Sequence, residues 1–164
     1  MRLFFAAWPP AQTAVALHAW AEDLEGRAVS QENIHLTLAF LGEGDPAKAM
    51  AAAKRVRGVR HELPIEQARF WKKNQIVWAG PREMPPALDS LVKSLHLALY
   101  RAEFILERRP FAAHVTLLRK AREPAALPPL PRVAWPVDEF VLVGSRISSR
   151  GSTYEPVERF PLSK

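Results

Sequence analysis

Ile34-His35-Leu36-Thr37-Leu38-Ala39-Phe40 is the stretch that decides the fold, because its pattern returns as Ala113-His114-Val115-Thr116-Leu117-Leu118. In an extended strand successive side chains point to opposite faces, so alternation puts His35 and Thr37 on one face and Leu36, Leu38 and Phe40 on the other. That parity assigns Phe40 to core packing. The second copy divides in the same way, with His114 and Thr116 opposite Val115 and Leu117, and Leu118 as the one apolar residue on the polar face. An otherwise apolar, β-favouring run has reason to carry an imidazole and a hydroxyl two residues apart when that face lines something polar. One such pair is ordinary on a solvated strand. Its return, each time after an amphipathic helix at a similar distance, marks two strands that can face one cleft.

The rest of the chain is consistent with that reading. At 164 residues it suits one domain with a real core, and 48% hydrophobic with 24% charged residues excludes a disordered chain. The net charge of +6 and pI of about 10.1 favour an anionic partner such as a nucleic acid or nucleotide. With no cysteine there is no disulfide, thiolate nucleophile or cysteine metal site, which accords with a cytoplasmic protein. The apolar run in Met1-Arg2-Leu3-Phe4-Phe5-Ala6-Ala7-Trp8 stops at Pro9-Pro10, too short for a secretion signal or membrane span, and reads as a buried first strand.

In order, the spacing of Ala14, Leu17, Ala21 and Leu24 predicts a helix over 10–25, followed by the first His-x-Thr strand over 35–41. Asp45-Pro46 read as a cap and first turn for an alanine-rich helix from Ala47 to Val56. Leu63 to Phe70 and Gln75 to Ala79 form a hairpin around Lys72-Lys73-Asn74. Leu88, Leu91, Val92, Leu95 and Leu99 stripe a helix over 86–100, ahead of the second His-x-Thr strand over 112–118. The five prolines of Glu123 to Pro136 predict a loop without regular structure. Val137 to Ile147 and Tyr154 to Leu162 close a final hairpin around a glycine turn at 148–152. Helix then His-x-Thr strand thus occurs twice, implying an α+β fold of two pseudo-symmetric sheet-plus-helix halves around a central cleft.

A phosphodiester needs its oxygens held, its attacking oxygen deprotonated and its leaving oxygen protonated. Imidazole, with an ordinary pKa of about 6.5, gives or takes a proton near neutrality, and two on opposite sides of one phosphorus make a base and an acid. Each group is worth roughly 10²–10⁴-fold. The Thr37 and Thr116 hydroxyls can donate to non-bridging oxygens. A metal site fits poorly, since neither motif carries a carboxylate on its His face and no His-Glu-x-x-His occurs. A serine triad lacks its Gly-x-Ser-x-Gly elbow. His18 and His96, on the two helices, and His61, in a basic turn, read as ordinary surface or boundary histidines.

These residues resemble the two-histidine (2H) phosphoesterases, and within them the bacterial and archaeal RNA 2′,3′-cyclic phosphodiesterases, historically called 2′-5′ RNA ligases. Arg2-Leu3-Phe4-Phe5-Ala6, Pro9-Pro10 and Glu32 to Gly42 resemble the first half of the family, Arg109 to Lys120 the second, and Gly151-Ser152-Thr153-Tyr154 the closing hairpin. The resemblance implies a bilobal fold, with residues 1–164 as a single catalytic domain of two related lobes. It also implies opening of a 2′,3′-cyclic phosphate to a 2′-phosphate with no metal or other cofactor. It makes His35 and His114 catalytic and Thr37 and Thr116 phosphate-holding, and it sets Arg119, five residues after the second histidine, on the phosphate. Two departures stand out. Arg27-Ala28-Val29 replaces an aromatic residue often found before the first motif, which removes an expected platform for the base, and Ala113 replaces a proline often found before the second histidine.

Expelling O3′ requires water to enter opposite it, with His114 assigned as base and His35 as acid. An RNA 5′-hydroxyl in place of water would make a 2′-5′ linkage by the same displacement. The expected partners are RNA ends or nucleotides carrying a cyclic phosphate, with no membrane, and the chain is expected to be a monomer. The alternatives are a phosphoesterase on small cyclic nucleotides or 2′-5′ oligonucleotides, and a non-catalytic RNA-binding module. For the latter, the basic stretches Arg55-Val56-Arg57, Lys72-Lys73, Arg108-Arg109 and Arg119-Lys120-Ala121-Arg122 would serve.

Overall fold

Residues 3–7 are buried without a break, as an apolar run must be when both faces of its strand are covered, and the strand ends ahead of Pro9. The computed structural model describes residues 1–149 and 151–164. Its elements are β1 (Arg2–Ala7), α1 (Ala11–Glu22), β2 (Arg27–Ala28), a 3₁₀ turn (Gln31–Asn33), β3 (Leu36–Glu43), α2 (Pro46–Ala53), β4 (His61–Glu62), β5 (Gln67–Trp71), β6 (Ile76–Gly80), α3 (Pro86–Arg101), β7 (Val115–Arg119), β8 (Pro136–Val137), β9 (Glu139–Ser148) and β10 (Gly151–Pro161). One antiparallel sheet has the order β10-β9-β1-β3, a second β2-β7-β6-β5, and β4 pairs with β8 apart from both. The strand-helix-strand unit β1-α1-β3 recurs as β6-α3-β7, so the two halves expected from the paired motif are present.

The helices are exchanged between the halves. α1 follows β1 of the first sheet but packs on β2 and β7 of the second, whereas α3 follows β6 of the second sheet and packs on β3 of the first, with α2 alongside. The α3 stripe of Leu88, Leu91, Val92, Leu95 and Leu99 is wholly buried, as its spacing requires, and it joins Leu17, Leu36, Leu38, Leu117 and Leu118 in one continuous core. Asp45 caps α2 by accepting the Ala47 N–H at 3.0 Å, with Pro46 in the first turn.

Three expectations shift. α1 stops at Glu22 and α2 at Ala53, each closing in a backbone turn before the glycine beyond it. The strand expected from Leu63 begins only at Gln67; Pro64 has no N–H for a ladder, and the Leu63 N–H instead reaches the Trp135 carbonyl at 2.9 Å. The proline-rich segment is therefore not wholly irregular. Pro136–Val137 pair with His61–Glu62, Trp135 is fully buried, Trp20 Nε1 donates to the carbonyls of Pro128 and Pro129 at 3.2 and 3.1 Å, and the Thr13 hydroxyl donates to Ala134. The final hairpin forms, although its turn includes position 150, outside the described residues.

Both motif strands break alternation at the same place. Phe5 pairs with Ala39 and Ala6 with Thr37, leaving Leu38 surplus in β3; Val77 pairs with Leu118 and Trp78 with Thr116, leaving Leu117 surplus in β7. Such a bulge resets which face each later residue takes. Leu38 and Ala39 consequently lie side by side in the core, as do Leu117 and Leu118. This corrects two assignments made by simple parity. Leu118 is 1% exposed rather than on the polar face, and Phe40 is 61% exposed rather than in the core.

A surplus residue also leaves a carbonyl outside the ladder, and the exchanged helices attend to it. His96 on α3 donates from Nε2 to the Leu38 carbonyl at 2.8 Å. In the other half the Leu117 carbonyl accepts the Val29 N–H at 2.9 Å, and the Val29 carbonyl accepts from His18 Nδ1 on α1 at 2.8 Å. His18 and His96 are 78 residues apart, nearly the 79 that separate His35 from His114, so they are counterparts rather than incidental boundary histidines. Removing the His96 donor strands the Leu38 carbonyl, so His96→Leu should lower unfolding free energy by about 1–3 kcal/mol and His96→Gln by less. Urea denaturation of the two variants measures this; equal losses would show that the bond contributes nothing.

Candidate active site

β3 opens at Leu36 and β7 at Val115, so each motif histidine is the residue immediately before its strand. Each is held by its own chain: His35 Nδ1 donates to the Asn33 carbonyl at 2.6 Å, and His114 Nδ1 to the Ala112 carbonyl at 2.9 Å. With the proton committed at Nδ1, the neutral ring presents Nε2, the atom that accepts or returns a proton. His61 makes the same local bond, to Val59 at 2.8 Å, but its Nε2 is buried with no partner, so the bond alone does not mark a reactive histidine.

Aromatic rings fix both imidazoles. Trp8 stacks on His35 at 4.8 Å and 22°, while Phe4 lies at 5.3 Å and Tyr154 meets the ring edge-on at 5.4 Å. Trp8 is itself tethered, donating from Nε1 to the Glu32 carbonyl at 2.9 Å. Around His114, Trp71 lies at 4.8 Å and Trp78 at 6.2 Å. Gly80 lets β6 pass close behind that histidine, since a Cβ there would stand 2.6 Å from the Ala113 carbonyl oxygen.

The two histidines and Arg119 share one electrostatic neighbourhood. Burial lowers the His35 pKa to about 4; the bond to Asn33 opposes this, and the positive charges of Arg119 and His114 add to it. Arg119 exerts that influence because the surplus Leu117 returns it to the side of His114 and Thr116, a side that unbroken alternation would deny it. Thr37 and Thr116 are half-buried, each two residues beyond its histidine. The five residues singled out by sequence therefore lie along the facing motif strands and their mouths.

Phe40, which parity sent to the core, lies exposed on the side of these residues. It occupies the position five residues after His35 that Arg119 occupies after His114, and its exposed ring lies 6.0 Å from that of Phe4. Comparing the two copies position by position contains that signal, whereas parity along one strand conceals it. Trp8, Trp71 and Tyr154 were missed because nothing local couples them to a histidine. Among the described residues, no three His, Asp or Glu side chains gather as a group that could hold a metal ion. No described helix is long and apolar enough to cross a membrane.

The depressed pKa of His35 makes stability depend on pH. The folded state resists protonation of this ring until about pH 4, whereas the unfolded chain takes the proton at about 6.5. Stability should therefore fall as pH drops through that window, by up to roughly 3 kcal/mol from this group, and be indifferent to it above 6.5. Between pH 7 and pH 4 the unfolding free energy of wild type should fall relative to that of His35→Asn. A constant difference would mean that the ring is not buried neutral.

Known proteins resemble this chain over almost its whole length. A model of the family described as LigT-like phosphoesterase matches residues 8–78. The RNA 2′,3′-cyclic phosphodiesterase of Escherichia coli strain K12 is 36% identical, over 99% of this chain and 97% of that protein. The protein of the same name from Thermus thermophilus is 30% identical, over 99% and 90%. The crystal structure of E. coli LigT in apo form superposes with a TM-score of 0.91 at 34% identity, over 99% of this chain and 98% of that one, and its complex with 3′-AMP gives the same values. The chain belongs to the LigT-like phosphoesterases, with the two-histidine phosphoesterase fold.

Proposed function

We propose that this chain is an RNA 2′,3′-cyclic phosphodiesterase that opens the cyclic phosphate to a 2′-phosphate by paired-histidine acid-base catalysis, without a metal. The observation that carries the reading is the pair of immobilised imidazoles, His35 and His114, at the mouths of two equivalent strands, near enough for the charge of one to bear on the other. Relatives of nearly the same length carry that activity in their names, and the E. coli neighbour has been crystallised with a nucleotide.

In the reaction, His114 Nε2 takes a proton from water as the water oxygen bonds to phosphorus. The P–O3′ bond breaks opposite, and His35 Nε2 gives its proton to O3′, leaving phosphate on O2′. Thr37 and Thr116 donate to the non-bridging oxygens, and the Arg119 guanidinium offsets the charge that grows there. The exposed Phe40 ring offers the base a flat surface, the role for which Arg27-Ala28-Val29 has no aromatic side chain. The acid role needs a protonated His35, and an empty site with a pKa of about 4 does not supply one near neutrality. The anionic phosphate does: set beside the ring, it counters the burial penalty and the charge of Arg119, raising the pKa as substrate binds. An RNA 5′-hydroxyl replacing water would give a 2′-5′ linkage, with abundant water favouring hydrolysis. Residues 1–164 act as one catalytic unit of two lobes, as a cytoplasmic monomer, on RNA ends.

Adenosine 2′,3′-cyclic phosphate, incubated in chelator, should yield 2′-AMP, with His35→Ala and His114→Ala each slower by roughly 10²–10⁴-fold. Activity abolished by the chelator, release of 3′-AMP, or an unimpaired histidine variant would each contradict the mechanism.

A further inference from the structure

Beside His35, on the side of the first sheet that carries Phe4, Val141 and Val143, lies a cavity of about 560 Å³ that the reaction above does not use. Trp8 and Tyr154 border both: the rings that pack against His35 also line the cavity. Val141 and Val143 form its floor, and Pro9, Pro10, Pro136 and Pro156 stiffen its walls. Walled by prolines and aromatic rings on one part and by polar side chains on another, and within the usual size of small-ligand sites, it suits a planar ring that carries polar edges.

Its polar groups select further. Glu32, Asp138 and Glu139 line it, and among the described residues Arg159, bound to Glu139 at 2.7 Å, is the one cation beside them. Glu32 and Asp138 make no ion pair among the described residues. In a chain of net charge +6, this rim repels phosphate and accepts hydrogen bonds from N–H donors. Carboxylates read the amino groups of nucleobases in this way.

We propose that this cavity receives the base of the nucleotide preceding the cyclic-phosphate end, and that it favours bases with an exocyclic amino group over uracil. The proposal rests on the phosphodiesterase reading, because a bound RNA end at His35 must continue into the neighbouring space. The terminal base has the exposed Phe40 ring; the preceding base takes the walls of Trp8 and Tyr154, its amino group turned to Asp138 or Glu32.

The test compares kcat/KM for adenosine 2′,3′-cyclic phosphate with that for the four dinucleotides ApA, CpA, GpA and UpA ending in the same cyclic phosphate. The amino-bearing dinucleotides should exceed both UpA and the mononucleotide by about tenfold, the worth of one hydrogen bond to a charged acceptor. In Asp138→Asn that advantage should shrink while turnover of the mononucleotide is unchanged, which also shows that the variant is folded. Equal values for all five substrates, or a dinucleotide advantage indifferent to the upstream base, would overturn the proposal. Mononucleotide turnover in either case would leave the phosphodiesterase reading standing, whereas its absence in wild type would remove both.

Discussion

One surplus residue after each motif threonine governs what faces the cleft. Leu38 in β3 and Leu117 in β7 are passed over by the neighbouring strand, and each slip turns the next apolar side chain inward and the following residue outward. Phe40 and Arg119 owe their places to that displacement. A bulge is tolerated only if its orphaned carbonyl is satisfied, since a buried unpaired acceptor costs about 1–3 kcal/mol. His96 satisfies one carbonyl directly, and Val29, itself bonded to His18, satisfies the other.

The exchange of helices makes these local repairs a bracing system for the whole molecule. α1 leaves the first sheet to support β7, and α3 leaves the second to support β3, so neither motif strand is backed by the helix of its own half. Two imidazoles remote in sequence are thereby referred to one continuous core rather than to two lobes free to drift. Their surroundings still differ. His35 is enclosed by Trp8, Phe4 and Tyr154 and resists protonation, whereas Trp71 and Trp78 meet His114 less squarely. Unequal environments suit unequal proton-transfer roles.

The repeat of His-x-Thr, the α3 stripe, the Asp45 cap and the Trp71–Ile76 hairpin were legible in the sequence because each is a local pattern with a fixed period or a short-range bond. Strand parity failed at Phe40 and Leu118, since it assumes an unbroken ladder and the bulges depend on partners in other strands. The proline-rich segment misled for a related reason: Pro136–Val137 find their ladder partner in His61–Glu62, far back in the chain. The aromatic enclosure of His35 was hidden because Trp8 and Tyr154 arrive from opposite ends of the sequence. Asymmetry between the two histidines was equally invisible, since it arises from burial and from Arg119, which only folding brings near.

The central claim is that His35 and His114 act on one phosphorus from opposite sides. A crystal structure with a nucleoside 2′,3′-cyclic vanadate, a trigonal-bipyramidal mimic of the displacement, tests it most directly. His35 Nε2 should lie within hydrogen-bond reach of O3′ at one apex and His114 Nε2 within reach of the opposite apical oxygen. Both histidines on the same side of the vanadium, or one of them out of reach, would contradict the account.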